Sequence, residues 1–292
     1  MEISVRELKN KIMKILNDAG VSPASFNTDL LLEHFAGITK LMFLTESNLT
    51  VSEKVANTVI NAAKECGNGI PLQHILGYTE FMGIKFNVNE NVLIPRPDTE
   101  ILVTEAIKCA EKIQEQPKIL DMCTGSGCIA IALSHFLKNA EIHASDISEK
   151  ALATAKRNAA EQPGNTEITF HSGSFFVPFA AKVNCTSSEN SKFDIIVSNP
   201  PYIPTDDIKE LSVNVRLHEP MSALDGGADG LSAYREIISE APLYLNKNGM
   251  ILFEVGVGQA DDVRKLLKKD FTDIYTVRDY GGIERVVYGK LI

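Results

Sequence analysis

The chain has 292 residues, 44% of them hydrophobic, with 29 Lys and Arg against 38 Asp and Glu and a formal net charge of -9. That length can bury one large core or two modest ones, and the acidic excess argues against a long phosphate backbone as a direct partner, so no nucleic acid is expected. No apolar run approaches a membrane span, and five cysteines without a C-x-x-C pair signal neither a disulfide framework nor a zinc site, which places the chain in a reducing cytoplasm.

The first twenty residues mix charged and apolar positions, unlike a signal peptide. Ser4 and Glu7 form a capping box ahead of Val5, Leu8, Ile12, Ile15 and Leu16, a one-faced helical pattern stopped by Gly20. Helical patterns recur over Asp29 to Ala36 and, with Ser52 as N-cap, over Val55 to Cys66. Residues 1–70 are therefore expected to form a small helical bundle. From Pro71 to Pro97 the period becomes two, with Ile84, Phe86 and Val88 on one side and polar Asn87, Asn89, Glu90 and Asn91 at edges and a turn. This segment is expected to be a β-hairpin linker, stiffened at its end by Pro95 and Pro97.

Residues 98–292 alternate strands and helices. Strands are predicted at Lys118 to Met122, Glu141 to Ser145, Thr166 to His171, Phe193 to Ser198 and Gly249 to Val255, and helices at Ser126 to Leu137, Ser148 to Ala160 and Leu231 to Leu245. A polar insertion at 177–192 reads as a mobile loop, and strands near 271–278 and 283–288, joined through Gly281-Gly282, close the sheet as a hairpin. The alternation predicts an α/β doubly wound sheet with its ligands at the carboxyl ends of the strands.

Two motifs fall at those ends. Asp121-Met122-Cys123-Thr124-Gly125-Ser126-Gly127 follows the first strand, its glycines allowing close approach of a ligand to the backbone and the helix N-terminus. Asp146 ends the second strand, 19 residues after Gly127, where a carboxylate can take both hydroxyls of a ribose. The turn also satisfies the G-x-G-x-x-A dinucleotide pattern, so on its own it leaves NAD and S-adenosylmethionine both open. The fourth strand separates them. It runs into Asn199-Pro200-Pro201-Tyr202, where the Asn199 oxygen and the Pro200 carbonyl can accept the two N–H bonds of a planar amino group, Pro201 restricts the loop, and the Tyr202 ring can stack on the acceptor. That is a grip for N-methylation, for which a dehydrogenase has no use.

With those residues in view, the chain resembles the HemK/PrmC family of protein-glutamine methyltransferases, which modify the glutamine of the Gly-Gly-Gln motif in peptide chain release factors. The similarity runs through Pro71-Leu72-Gln73, Val92 to Glu100, Thr124 to Ala130, Ile196 to Ile203, Glu219-Pro220, Asp229-Gly230-Leu231 and Glu254-Val255-Gly256. It implies a seven-stranded Rossmann-like class I methyltransferase sheet over 98–292 and S-adenosyl-L-methionine as cofactor, held by residues 123–127 (Cys123, Thr124, Gly125, Ser126, Gly127), Asp146, Phe175 and Asn199. It further implies a glutamine held by Asn199 to Tyr202, with Asn199, Pro200 and Tyr202 catalytic, and a docking role for the N-terminal bundle. A monomer acting on release factors is expected.

Three positions depart from the family pattern: Cys123 stands where a first glycine is usual, Ser174 replaces an Asp that contacts adenine, and Asp98 replaces Glu. The six histidines lack metal-ligand spacing, and no metal is expected. Arg96 can serve either the pocket or a structural hydrogen bond, and Glu254 is read as orienting neighbouring loops. The alternatives are methylation of a ribosomal-protein glutamine, for which a Pro-Arg-Ser-Pro form would be expected in place of Pro95-Arg96-Pro97, and of DNA adenine, which the acidic balance opposes. A non-catalytic binding module is a third.

Overall fold

The computed structural model describes residues 2–46, 48–113, 115–162, 166–180 and 192–292. It divides into two compact units, Met1–Tyr78 with Ser212–His218, and Thr79–Leu211 with Glu219–Ile292.

In the first unit the helix Val5–Asp18 buries Val5, Leu8, Ile12 and Leu16, the stripe expected from their spacing. It packs on Ala24–Ala36 and Glu53–Gly67, and the latter turns Ala56, Val59, Ile60, Ala63 and Cys66 inward. Two short strands, β1 (Glu2–Ser4) and β2 (Thr50–Ser52), pair antiparallel, and helices Lys40–Thr45 and Leu72–Leu76 complete the N-terminal part. The predicted caps fare differently. Ser52 Oγ accepts from Val55 N at 3.4 Å, whereas the Ser4 hydroxyl makes no cap bond. Ser4 instead ends a strand opposite Thr50, and Val5 N donates to the Leu49 carbonyl at 2.9 Å, so strand pairing fixes the chain where the helix begins.

A hairpin, β3 (Tyr78–Phe81) and β4 (Ile84–Asn87), reverses at Met82-Gly83, both with positive φ, a primed turn matched to strand twist. Ile84, Phe86 and Val88 are buried as the alternation predicts. The helix Thr99–Ala110 occupies a stretch with no predicted element, although Leu102, Val103, Ala106, Cys109 and Ala110 recur at helical spacing and are buried.

The large sheet contains β5 (Lys118–Met122), β6 (Glu141–Asp146), β7 (Ile168–Ser172), β8 (Phe193–Ser198), β9 (Leu245–Glu254), β10 (Phe271–Arg278) and β11 (Glu284–Leu291). Its order is β10-β11-β9-β8-β5-β6-β7. β7, β6, β5, β8 and β9 run parallel, and β11 is antiparallel to both neighbours. Continuous apolar runs follow from burial on both faces. Ile119, Ile195, Val197 and Leu252 enter one core with helices Thr99–Ala110 and Cys128–Phe136, while Leu120, Ile196, Ile251 and Phe253 enter the other with Ser232–Tyr244 and Ala260–Leu267. The closing hairpin turns as expected near Gly282, with Asp279 Oδ1 accepting from Ile283 N at 2.9 Å.

Of the predicted 177–192 loop, Val177–Phe179 is a 3-10 turn that buries Phe179, and 181–191 lie outside the described residues. No described helix is long and apolar enough to cross a membrane.

Candidate active site

β5 has β6 on one side and β8 on the other, so the connections leaving its carboxyl end diverge and open a crevice. A cavity of about 330 Å³ fills it. Cys123, Thr124, Gly125, Ser126, Asp146, Ser174, Phe175, Asn199 and Pro201 line it, together with Arg96, Thr99, Pro220, Ser222 and Ala223. Gly127, Pro200 and Tyr202 are adjacent in the chain but are not part of that wall.

The glycine turn is held from below. Asp121 is fully buried, and its Oδ2 accepts from Thr124 Oγ1 at 2.5 Å and from Ala130 N at 3.1 Å, tying the strand end to the helix that follows. Asp121 Oδ1 and Ser145 Oγ have no hydrogen-bond partner among the described residues. Burial raises the Asp121 carboxyl to about 7 and also raises Asp146, whose charge adds to the effect at Asp121. Asp146 accepts from Gly125 N at 2.9 Å and from Ser148 N at 2.8 Å, so this one side chain sets both the turn and the start of the helix Glu149–Ala160.

Backbone conformation explains the residue types. Gly125 and Gly127 have φ of +55° and +83°. A Cβ on Gly127 would meet Ala155 Cβ at 3.0 Å, whereas one on Gly125 would meet nothing within 4 Å. Gly127 thus permits packing inside the protein, and Gly125 faces open cavity. Cys123 carries a φ of +63°, the left-handed region a glycine would prefer, and accepts the strain that its departure from the family pattern implies. Phe175 has a positive φ of 38° as well. Asn158, almost fully buried, accepts from Asn87 N and donates to the Ser126 carbonyl at 2.9 Å, linking the hairpin to the turn.

At the other end, Ser198 Oγ donates to the Met122 carbonyl at 2.7 Å and fixes the end of β8 against β5. Asn199 Nδ2 donates to Thr99 Oγ1 at 3.3 Å, and Thr99 Oγ1 lies 2.6 Å from Glu254 Oε2. Tyr202 OH is 3.4 Å from Glu254 Oε1, and its carbonyl accepts from Gln259 Nε2 at 2.9 Å. Burial raises Glu254 to about 7 and pushes the Tyr202 phenol well up. Arg96 donates to Glu219 Oε1 at 2.5 Å, so it makes a structural ion pair and lines the cavity at once. Asp98 pairs with Arg285 at 3.0 Å.

Thr99 has no predicted site role. Its only signal in the sequence is its place in the Pro95 to Glu100 block, because Glu254, its partner, is 155 positions away. Ser222 and Ala223 on the wall are likewise unmarked by residue type. Among the described residues no group of three or more His, Cys, Asp or Glu side chains is placed to hold a metal.

Two family models match the chain: the methyltransferase small domain over residues 99–226 and the PrmC N-terminal domain over residues 7–77. A release factor glutamine methyltransferase from Geobacter sulfurreducens is 38% identical over 99% of this chain and 97% of its own length. One from Thermodesulfovibrio yellowstonii is 37% identical over 97% and 95% respectively, and one from Bacillus cereus 36% identical over 90% and 91%. Among solved structures, the hMettl16 catalytic domain in complex with MAT2A 3'UTR hairpin 6 has a TM-score of 0.55 at 10% identity, covering 83% of this chain and 84% of that one, a likeness of fold.

Proposed function

The chain belongs to the HemK/PrmC family of release factor glutamine methyltransferases, and on that premise we propose that it methylates the side-chain amide nitrogen of the Gly-Gly-Gln glutamine in peptide chain release factors, using S-adenosylmethionine. The observation that carries this reading is one cavity with the Asp146 carboxylate and the glycine turn at one end and the Asn199 carboxamide at the other.

The residues present fit that cofactor. Gly125 leaves open space where a side chain would stand, and Ser145 Oγ is a buried polar atom with no partner among the described residues. Asp146 keeps acceptor capacity on both oxygens for ribose hydroxyls. The charge pattern also favours a cation. The Asp146 carboxylate lines the cavity, and Arg96 on its wall is already paired with Glu219. A sulfonium gains from such a field, whereas the pyrophosphate of a dinucleotide would be repelled. When bound, S-adenosylmethionine supplies an electrophilic methyl group on sulfur.

The chain's own contribution is to position a poor nucleophile. An amide nitrogen has its lone pair delocalised into the carbonyl, so the site holds it instead of deprotonating it. Asn199 Oδ1 and the Pro200 carbonyl accept its two N–H bonds, leaving the π-face exposed to attack the methyl carbon. Bound there, S-adenosylmethionine would supply its methyl group to that nitrogen and leave as the neutral thioether, and the alkylated amide, strongly acidic, would then release its proton. Orientation of this kind is worth roughly 7 to 11 kcal/mol in favourable cases.

The test is transfer of label from S-adenosylmethionine to purified release factor and to its Gly-Gly-Gln variant with Gln→Ala. Label is expected on the wild-type factor and absent from the variant.

A further inference from the structure

Asn199 can serve as an acceptor in only one of two orientations. Turning a carboxamide over exchanges its carbonyl for its amino group with almost no change in shape, so packing alone does not decide between them. Thr99 does. Its Oγ1 is 2.6 Å from Glu254 Oε2 and 3.3 Å from Asn199 Nδ2, and both Thr99 and Glu254 are 2% exposed. A hydroxyl has one proton. When the Thr99 proton goes to the Glu254 carboxylate, the Thr99 oxygen can only accept from Asn199, whose amino group must then face it.

We propose that Glu254 and Thr99 are positioning residues that form a proton-ordered relay, holding the Asn199 carboxamide with its oxygen turned toward the substrate amide. This rests on the reading of Asn199 as the substrate grip. Protonating Glu254 reverses the relay: the carboxylic acid donates to Thr99, Thr99 donates to Asn199 Oδ1, and the Asn199 amino group then opposes the N–H bonds it should accept.

The groups around Glu254 permit such a change. Thr99 and Tyr202 face its oxygens, Tyr234 OH donates to its backbone carbonyl at 2.8 Å, and Asp98, Arg285 and Cys128 are the further titratable groups that feel its charge. Burial and Asp98 raise its carboxyl, Thr99, Arg285 and Tyr202 lower it, and the result is about 7.

The experiment is steady-state methylation of release factor by the full chain over about pH 5.5 to 9, with calorimetric binding of S-adenosylmethionine to each variant. Absence of transfer by the wild type would remove the substrate-grip reading itself, before any variant is compared. With wild-type activity in hand, kcat is expected to rise to a plateau through an apparent pKa near 7. Thr99→Val should lower plateau kcat at least about tenfold and abolish the limb while cofactor affinity stays within about twofold, and Thr99→Ser should restore both rate and limb. Glu254→Gln, whose side-chain oxygen still accepts from Thr99, should give a flat profile. Wild-type kcat in Thr99→Val, or a limb near 7 persisting in Glu254→Gln, would overturn the relay. If Thr99→Val fails to fold, the Glu254→Gln profile decides.

Discussion

Gly125 and Gly127 hold left-handed backbone two residues apart, yet their missing side chains serve different ends. At Gly127 an added methyl would meet the Ala155 Cα at 3.2 Å as well as its Cβ, so both backbone strain and overpacking oppose it. At Gly125 only the backbone objects. Gly127→Ala is therefore expected to destabilise by about 2 kcal/mol or more and Gly125→Ala by about 1 kcal/mol, measured by denaturant unfolding. Gly125→Ala should weaken S-adenosylmethionine binding by more than its stability loss accounts for, because its methyl enters the cavity. Equal stability losses would contradict this division. At this scale much of the cavity wall is legible in sequence, because Cys123 to Ser126, Asp146 and Asn199 sit at the ends of recognisable strands. Thr99 is not, since a threonine at the start of a helix carries no mark of a carboxylate 155 positions away.

Periodicity finds elements where one face is buried and neighbours are local. The stripe Val5, Leu8, Ile12, Leu16 is of this kind, whereas β5, β6 and β8, buried on both faces, are found by the continuity of their runs instead. What it misses is pairing between distant segments. β1 and β2 join residues about fifty positions apart, and that pairing displaces the Ser4 cap. Ser52→Ala should thus cost about 0.5 to 1 kcal/mol through loss of its N-cap bond, and Ser4→Ala a few tenths at most. Unfolding of the two variants measures the difference, and an equal cost would restore the capping box. The helix Thr99–Ala110 went unpredicted despite its apolar spacing, because it starts directly after the Pro-rich segment without a side-chain cap to announce it.

Across the whole molecule the strand order places two raised carboxyls, Asp121 and Glu254, at the carboxyl ends of β5 and β9 in one unit. For Asp121 the folded state binds its proton more tightly than the unfolded chain, with the carboxyl raised from 3.8 to about 7. The stability this contributes is full below the unfolded value and is lost as pH rises through the folded one. In the cofactor-free protein, Tm of Asp121→Asn minus Tm of wild type should become more positive by at least about 2 °C between pH 4 and 8. A constant difference would show that Asp121 titrates normally. Sequence alternation revealed the α/β class, but only the strand order shows that the glycine turn and Asn199 face one crevice.

That shared crevice is the basis for reading the chain as an enzyme that carries a methyl group to a glutamine amide, and mass spectrometry of release factor after incubation with the protein and S-adenosylmethionine tests it most directly. A single added methyl on the glutamine of the Gly-Gly-Gln motif, absent from the Gln→Ala factor, is the predicted result. Methylation at another residue, or equal modification of both factors, would contradict it.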